Sequence, residues 1–367
     1  MKGAEGDRFA RERLVPEWDP EAIGAATAVV VGLGALGNEA AKNLALAGTG
    51  RLVLCDPDVV ETTNLSRSVL FGPGDVGRPK TEAAAEGLRR LSPGVVVESR
   101  PYDLAAGVGL GELASAGVVL GCLDSVRSRM RLLGRCALVE ASLVDGATGP
   151  WEGEVRLRLD TQEACYGCTL TAHRRSTTDV PWSCLDETAA GPLGTSIGTT
   201  ALVAAWMTQA ALRSLLGVRP PYRLLRIDSL TGRTAPVVMS RDPDCPHHRP
   251  IEGDITPCAL NHRATAGELI DSLPPGDEPF TWSQFPLPVP VRCRACRGYA
   301  DSVGERAAAE DPFSPCDRCG RLRRPRFSIR LRDAAVDTRL SDLGVPPQEI
   351  LSVRRPKGEY TWHRLSS

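Results

Sequence analysis

The sequence predicts an α/β protein: a doubly wound, Rossmann-like, mostly parallel sheet with an antiparallel C-terminal part, plus a small zinc-ribbon domain. Three observations predict it. Over the first two-thirds of the chain, short apolar β runs alternate with helix-like segments, the pattern of parallel strands joined by crossover helices. The run Gly32-Leu-Gly-Ala-Leu-Gly37 lies between one such β run and a helix. Near the C-terminus Cys293, Cys296, Cys316 and Cys319 form two C-x-x-C pairs spaced by 19 residues, the signature of a zinc ribbon.

Taken in order, Ala28 to Val31 reads as a buried strand, and the glycine run turns into a helix reaching about Ala47. A strand over Arg51 to Asp56 follows, then a helix over about Lys80 to Leu91 and strands near Val95 to Ser99 and Gly117 to Gly121. After Gly149 the texture changes. Glu154 to Leu159 alternates with period two, which predicts a half-exposed strand. The polar stretch 171–191 reads as a crossing loop, Gly194 to Leu216 as an Ala-rich helix, and Tyr222 to Asp228 and Thr234 to Ser240 as strands. From about Pro250 proline and arginine dominate, and Phe285 to Pro290 reads as extended chain. The composition therefore divides the chain into an α/β domain over 1–250, a linker over 251–284, a ribbon over 285–330 and a tail over 331–367. The tail carries a short amphipathic piece around Thr338 to Val353.

Composition narrows the function. The 367 residues carry a formal net charge of -1, so no global basic field points to nucleic acid. No apolar stretch approaches the roughly 20 residues that span a bilayer. The segment Met1 to Arg13 is charged and lacks the apolar core of a secretory signal, so the expected compartment is the cytoplasm. Twelve cysteines, six of them in C-x-x-C pairs, point in a reducing compartment to metal binding rather than disulfides.

The glycine run places backbone N–H groups and a helix N-terminus against a phosphate. Alone it does not separate NAD, FAD and ATP. Asp56, ending the second strand, is placed to accept both ribose hydroxyls of an adenosine nucleotide. The next elements favour a triphosphate. Asn64-Leu-Ser-Arg67 follows that strand and Gly77-Arg-Pro-Lys80 opens the next helix, bringing two cations, more than a hydride-transfer cofactor has use for. Only four of the 44 basic residues are lysines, and Lys80 is one of them. Gly121-Cys-Leu-Asp124 then puts a carboxylate at a strand's C-terminal edge. A carboxylate beside phosphates is repelled unless a cation lies between, which makes Asp124 a candidate Mg²⁺ ligand.

In this order of motifs the run from Gly32 to Asp124 resembles the adenylation domain of the ubiquitin-activating, E1-like superfamily, in particular the bacterial enzymes that adenylate molybdopterin and thiamine sulfur carriers. The resemblance implies that Gly32, Gly34 and Gly37 bind phosphate, Asp56 ribose, Asn64, Arg67 and Lys80 the phosphates, and Asp124 Mg²⁺. That family usually has asparagine after the aspartate; here it is Ser125, which implies a weakened polar contact. The resemblance also implies that Arg11, in Arg8-Phe-Ala-Arg11, reaches the ATP of a partner in a homodimer. It further implies one tetrahedral Zn²⁺ held by Cys165, Cys168, Cys245 and a histidine, His248 or its neighbour His247. Finally it implies that Cys184, in the crossing loop, receives the activated carboxylate. Cys55, Cys122, Cys136 and Cys258 show no partner pattern.

The second zinc site needs no family argument, since its spacing alone carries it. Its arginines, Arg292, Arg294, Arg297, Arg318 and Arg321, suit a docking partner. Three functions follow. The first is ATP-dependent adenylation of the terminal glycine of a ubiquitin-like protein ending in Gly-Gly, with thioester transfer to Cys184 and on to an E2-like conjugating protein. The second is a sulfur-carrier or peptide adenylyltransferase in which Cys184 is secondary. The third is a catalytically silent zinc scaffold or an NAD-binding regulator.

Overall fold

The computed structural model describes residues 8–171, 175, 194–282, 287–289, 291–297, 299–300, 314–316, 318–323 and 326–367. Two compact units emerge: Met1–Tyr102 with Leu113–Pro250, and Asp103–Glu112 with Ile251–Ser367.

The first unit is built on an eight-stranded sheet. Its strands are β1 (Thr27–Val31), β2 (Arg51–Cys55), β3 (Val96–Arg100), β4 (Val118–Gly121), β5 (Leu143–Thr148), β6 (Glu152–Arg158), β7 (Leu224–Asp228) and β8 (Arg233–Val237), in the order 3-2-1-4-5-6-7-8. The first five are parallel and the last three antiparallel, as the alternation and its later loss predict. Its helices are α1 (Pro20–Ala25), α2 (Ala35–Leu46), α3 (Lys80–Leu91) and α6 (Val126–Leu138), with α7 (Ile197–Leu215) further on; the short α4 (Leu104–Gly107) and α5 (Leu110–Ser115) follow β3. The order reverses between β1 and β4, and ligands of such sheets bind beyond the strand ends at that switch.

Neighbouring residues of β5 point to opposite faces. On one face Gly146 meets α7: a Cβ there would lie 2.1 Å from the Met207 sulfur, and a Cβ on Gly153 would lie 2.1 Å from Val203. Glycine at both positions lets α7 lie directly on β5 and β6. On the other face Asp145 meets Arg129 of α6.

One expectation is corrected here. Strand β6, read as half-exposed, is buried on both faces. Its period-two charges, Glu154, Arg156 and Arg158, lie beneath other elements and not in water. Buried charges of this kind persist when paired, and Arg156 donates both to Asp145 (3.1 Å) and to Glu154 (2.5 Å).

The second unit has its own sheet and core. The sheet is β9 (Ile255–Asn261), β10 (Glu278–Phe280), β17 (Ile350–Arg354) and β18 (Tyr360–Ser366), in the order 10-17-18-9. Helix α8 (Ala266–Asp271) packs with Leu331, Leu340, Leu343, Leu351 and Leu365. Within 251–282 the chain forms β9, α8 and β10, and β17 and β18 lie within 331–367. Pro257 and Pro279 sit in the two edge strands, where a missing N–H is tolerated. Between β10 and β17 in the chain lie the short strands β11 (Leu287–Val289), β12 (Val291–Arg292), β13 (Tyr299–Ala300), β14 (Ser314–Pro315), β15 (Leu322–Arg323) and β16 (Arg326–Ser328), paired two by two as 11-16, 12-13 and 14-15. Among the described residues no helix is long and apolar enough to cross a membrane.

Candidate active site

The glycine run follows β1 at the switch point. Gly32 has φ of 90°, and a Cβ there would lie 2.4 Å from the Cys122 carbonyl oxygen. The first turn is thus pressed against the loop that follows β4, the loop carrying Asp124. A Cβ on Gly37 would lie 1.9 Å from the Gly32 carbonyl oxygen, so α2 starts directly over the turn. Gly34 differs, since nothing lies within 4 Å of its Cβ position. Its side of the loop is open.

Asp56 closes the loop from below. Its Oδ2 accepts from the Leu33 N–H at 2.5 Å and its Oδ1 from the Asp58 N–H at 2.8 Å. Each oxygen keeps a second lone pair for a ligand. Burial pushes the Asp56 carboxyl above its usual range, against the opposing pull of the Lys80 ammonium and the two N–H donors.

Lys80, at the start of α3, is buried and donates to Asp58 Oδ2 at 2.7 Å. Asn64 and Arg67 are more local. Asn64 Oδ1 accepts from the Glu61 N–H at 3.0 Å, and Arg67 donates to the Thr63 carbonyl at 2.8 Å, so their side-chain bonds stay within the turn after β2. Asp124 is exposed at the end of the β4 loop. Arg11 is exposed, whereas Arg8 donates to Ser92 Oγ at 3.1 Å and to the Leu91 carbonyl at 3.3 Å. Cys184 lies outside the described residues.

Ser125 has a specific role. It is the N-cap of α6, its Oγ accepting from the Ser128 N–H at 3.1 Å. Serine and asparagine cap helices about equally well, so the exchange from the family pattern preserves the cap. Ser125→Ala is expected to lower stability by about 1 kcal/mol and Ser125→Asn to leave it within a few tenths; urea unfolding of the two variants measures this.

Two residues matter that the sequence reading does not single out. Asn38, fully buried in α2, donates to the Leu33 carbonyl at 3.1 Å and accepts from the Leu70 N–H at 2.8 Å, tying the glycine loop to the segment after Arg67. Its signal was available: it is the amide on the buried Ala/Leu stripe of α2. Asp58 holds Lys80, and its signal is the second carboxylate of Asp56-Pro-Asp58.

The first cysteine cluster forms where two 3₁₀ turns meet. Cys165 Sγ lies 3.8 Å from Cys168 Sγ, 3.7 Å from Cys245 Sγ and 3.6 Å from His248 Nε2. A zinc tetrahedron with bonds of about 2.3 Å to sulfur and 2.05 Å to nitrogen has edges of about 3.8 Å and 3.6 Å. The histidine that enters the cluster is His248. Its Nδ1 lies 2.8 Å from the Thr161 carbonyl, a partner that fixes the ring orientation in metal sites. Gly167 makes the closure fit, since a Cβ there would lie 2.8 Å from the His247 ring and 3.1 Å from Cys245 Sγ. The Cys165 thiol donating to Cys245, together with the His247 backbone N–H, holds the Cys245 thiol down to about 4. In contrast Cys55, Cys122 and Cys136 are buried, and desolvation pushes the Cys136 thiol up to about 12, which makes it inert.

The second cluster joins two matching knuckles. Cys293 and Cys319 lie 3.7 Å apart and Cys296 and Cys316 3.8 Å apart, again the edge of a tetrahedron. In each knuckle the residue after the second cysteine donates its N–H to the carbonyl of the first: Arg297 to Cys293 (2.9 Å) and Gly320 to Cys316 (2.7 Å). Both take positive φ, 55° and 68°. Three thiols with an imidazole in the first cluster and four thiols in the second form closed ligand sets suited to zinc.

A glycine loop at the switch point of a doubly wound sheet, an acidic residue closing it and a cysteine knuckle on the same unit are the architecture of the E1-like class. The profile of the ThiF family matches residues 9–247, and the chain belongs to that family. It is 33% identical over 242 residues to the mouse adenylyltransferase and sulfurtransferase MOCS3, covering 65% of this chain and 51% of that protein. It is 34% identical over 245 residues to the SAMP-activating enzyme E1 of Haloferax volcanii, covering 65% of this chain and 87% of that protein. The chain thus spans about half the length of MOCS3 and most of the archaeal enzyme. Among solved structures, the crystal structure of E. coli MccB with MccA-N7isoASN superposes with a TM-score of 0.55 at 19% identity, over 66% of this chain and 75% of that one, a likeness of fold.

Proposed function

We propose that this protein uses Mg-ATP to adenylate the C-terminal glycine carboxylate of a small ubiquitin-like or sulfur-carrier protein ending in Gly-Gly. The observation that carries the reading is the meeting, at one sheet edge, of the open glycine loop, Asp56, Lys80 and the exposed Asp124. The names of the relatives support it: besides MOCS3 and the SAMP-activating enzyme, the chain is 29% identical to the molybdopterin-synthase adenylyltransferase of E. coli, over 65% of this chain and 94% of that protein.

In this reading the backbone N–H groups around Gly34 and the start of α2 receive the phosphates. The free lone pairs of Asp56 accept the ribose hydroxyls. Lys80 and Arg67 supply positive charge to the departing pyrophosphate, Lys80 held in place by Asp58 and Arg67 by the Thr63 carbonyl. Asp124 fits a Mg²⁺ ligand because it is an exposed carboxylate on the loop pressed against the glycine turn; bound there, the ion would neutralise phosphate charge. The terminal carboxylate attacks the α-phosphorus, a bond to its oxygen forms, and the bond to the bridging α–β oxygen breaks with release of pyrophosphate. No general base is required, because a carboxylate is already ionised at neutral pH. Arg11 acts across a homodimer. The acyl group then either passes to the Cys184 thiol, which loses its proton and forms a thioester as AMP leaves, for transfer to an E2-like partner, or the acyl-adenylate is released directly to a sulfur donor. The two cysteine clusters each hold a structural Zn²⁺.

ATP–pyrophosphate exchange with a Gly-Gly-ended carrier tests the reading. Exchange is expected in the parent protein and is expected to fall at least about 100-fold in Asp124→Ala, in line with the loss of a charge-stabilising contact. Parent protein without exchange, or full exchange in the variant, overturns it. A thiol-sensitive adduct lost in Cys184→Ala distinguishes thioester transfer from direct release to a sulfur donor.

A further inference from the structure

Beneath the loop that carries Asp124 runs a chain of buried charges that no step of the proposed reaction uses. Arg129, in the first turn of α6, is 4% exposed. Its guanidinium donates to Asp145 Oδ1 at 2.7 Å, to the Gly146 carbonyl at 2.7 Å and to the Leu123 carbonyl, the residue directly ahead of Asp124. Asp145 in turn accepts from Arg156 at 3.1 Å through its other oxygen, and Arg156 donates to Glu154 at 2.5 Å. The Arg156 guanidinium lies over the ring of Tyr166, 4.3 Å from its centre. Tyr166 stands between Cys165 and Cys168 in the metal knuckle.

An arrangement of four buried charges is costly to desolvate, and apolar side chains of similar volume would fill the space with equal or greater stability. What the charges supply instead is direction. A guanidinium has a rigid planar fork, so fixing one terminal nitrogen with Asp145 and the Gly146 carbonyl aims the other at one place. Here that place is the Leu123 carbonyl. The loop between β4 and α6 has no sheet partner after Cys122, whose N–H donates to the Val31 carbonyl at 2.8 Å. Downstream it is pinned by the Ser125 cap. Between these two fixed points the Arg129 bond sets the direction in which the chain presents Asp124.

We propose that Arg129 is a positioning residue for Asp124, itself aimed by the Asp145–Arg156–Tyr166 chain that anchors on the Cys165/Cys168 knuckle. The inference rests on the reading of Asp124 as the Mg²⁺ ligand of Mg-ATP. A carboxylate turned away from the ion weakens metal-dependent binding, while the glycine loop and Asp56, which hold the rest of the nucleotide, are untouched. Losing such supporting partners of a metal ligand lowers metal affinity by about 10–100-fold.

The test compares Mg-ATP with AMP, which needs no metal, by calorimetric titration of the whole protein. Arg129→Lys keeps the charge but an ammonium cannot hold Asp145, Gly146 and Leu123 at once. Its affinity for Mg-ATP is expected to fall about tenfold or more with AMP affinity unchanged. Asp145→Asn, which keeps volume and removes the charge that aims Arg129, is expected to show the same split and carries the test if Arg129→Lys does not fold. Equal losses for both ligands would show a merely structural role, and unchanged Mg-ATP affinity would show no role; either overturns the inference. Parent protein that fails to bind Mg-ATP at all sinks the reading of Asp124 and this inference with it.

Discussion

Gly37→Ala is expected to unfold the nucleotide loop, and Gly34→Ala to leave the fold intact while removing nucleotide binding. The two glycines stand three residues apart in one motif, yet they are there for different reasons. A methyl group at position 37 would sit 1.9 Å from the Gly32 carbonyl oxygen. The obstacle is backbone, so no rotamer change relieves it; α2 must move away from β1 or the turn at Gly32 must open. Overpacking against backbone belongs at the upper end of such penalties, about 3 kcal/mol or more. For a unit of this size that lowers the melting temperature by about 6–12 °C. Position 34 meets no atom within 4 Å, and its φ of -63° and ψ of -166° suit alanine. Its methyl group would occupy the open side of the loop, where the proposed phosphates approach the backbone. Thermal unfolding and Mg-ATP titration of both variants read the result. A Gly37→Ala protein as stable as its parent would show that the loop is looser than the contacts imply. A Gly34→Ala protein with parental affinity would move the phosphates elsewhere.

Cys165→Ser is expected to empty the first metal centre and to destabilise the first unit as a whole. Cys165 is completely buried and lies within 3.8 Å of each of the other three ligand atoms. The cluster joins positions 80 residues apart, Cys165 and Cys245, across the stretch that includes the crossing loop and α7. Treated as a cross-link of that span, it removes about 4.5 kcal/mol of loop-closure entropy from the unfolded chain. Serine oxygen is a poor replacement for a thiolate at zinc, and the remaining thiols would be left in a space they were not meant to fill alone. The expected readings are one zinc per chain in place of two, by elemental analysis, and a melting temperature lower by about 10 °C or more. Cys293→Ser should also lose one zinc, but from the second unit, and should leave the first unit's unfolding unchanged. Equal zinc content in parent and Cys165→Ser would show that the cluster does not hold the metal.

Much of the first unit was legible in the residue order because its causes are local. Four consecutive apolar residues at Ala28 to Val31, three of them valine and followed at once by a glycine turn, fit a short strand covered on both faces. Glycine at 32 is required by a positive φ and by the Cys122 carbonyl, and such a requirement leaves its mark in sequence as a fixed glycine. Cysteine pairs two residues apart announce knuckles for the same reason, since the turn that brings both thiols together is made by the pair itself. The misreadings share the opposite cause. Strand β6 looked half-exposed because Arg156 and Arg158 look solvated in sequence, and only Asp145, from another strand, makes Arg156 a buried partner. Strands β9 and β10 carry weak local signals, since Pro257 and Pro279 lie within them and their partners β18 and β17 come near the end of the chain.

The sequence by itself determined the alternation of strands and helices, the glycine loop and the three C-x-x-C pairs, because each depends on residues within a few positions of one another. The tertiary structure decided the rest. It chose His248 over His247, gave Lys80 to Asp58, placed Asn38 between two loops and assembled Arg129, Asp145, Arg156 and Tyr166 under Asp124. Each of these depends on directions in space between elements far apart in the chain, and a side chain's direction is set by packing, which no local pattern records.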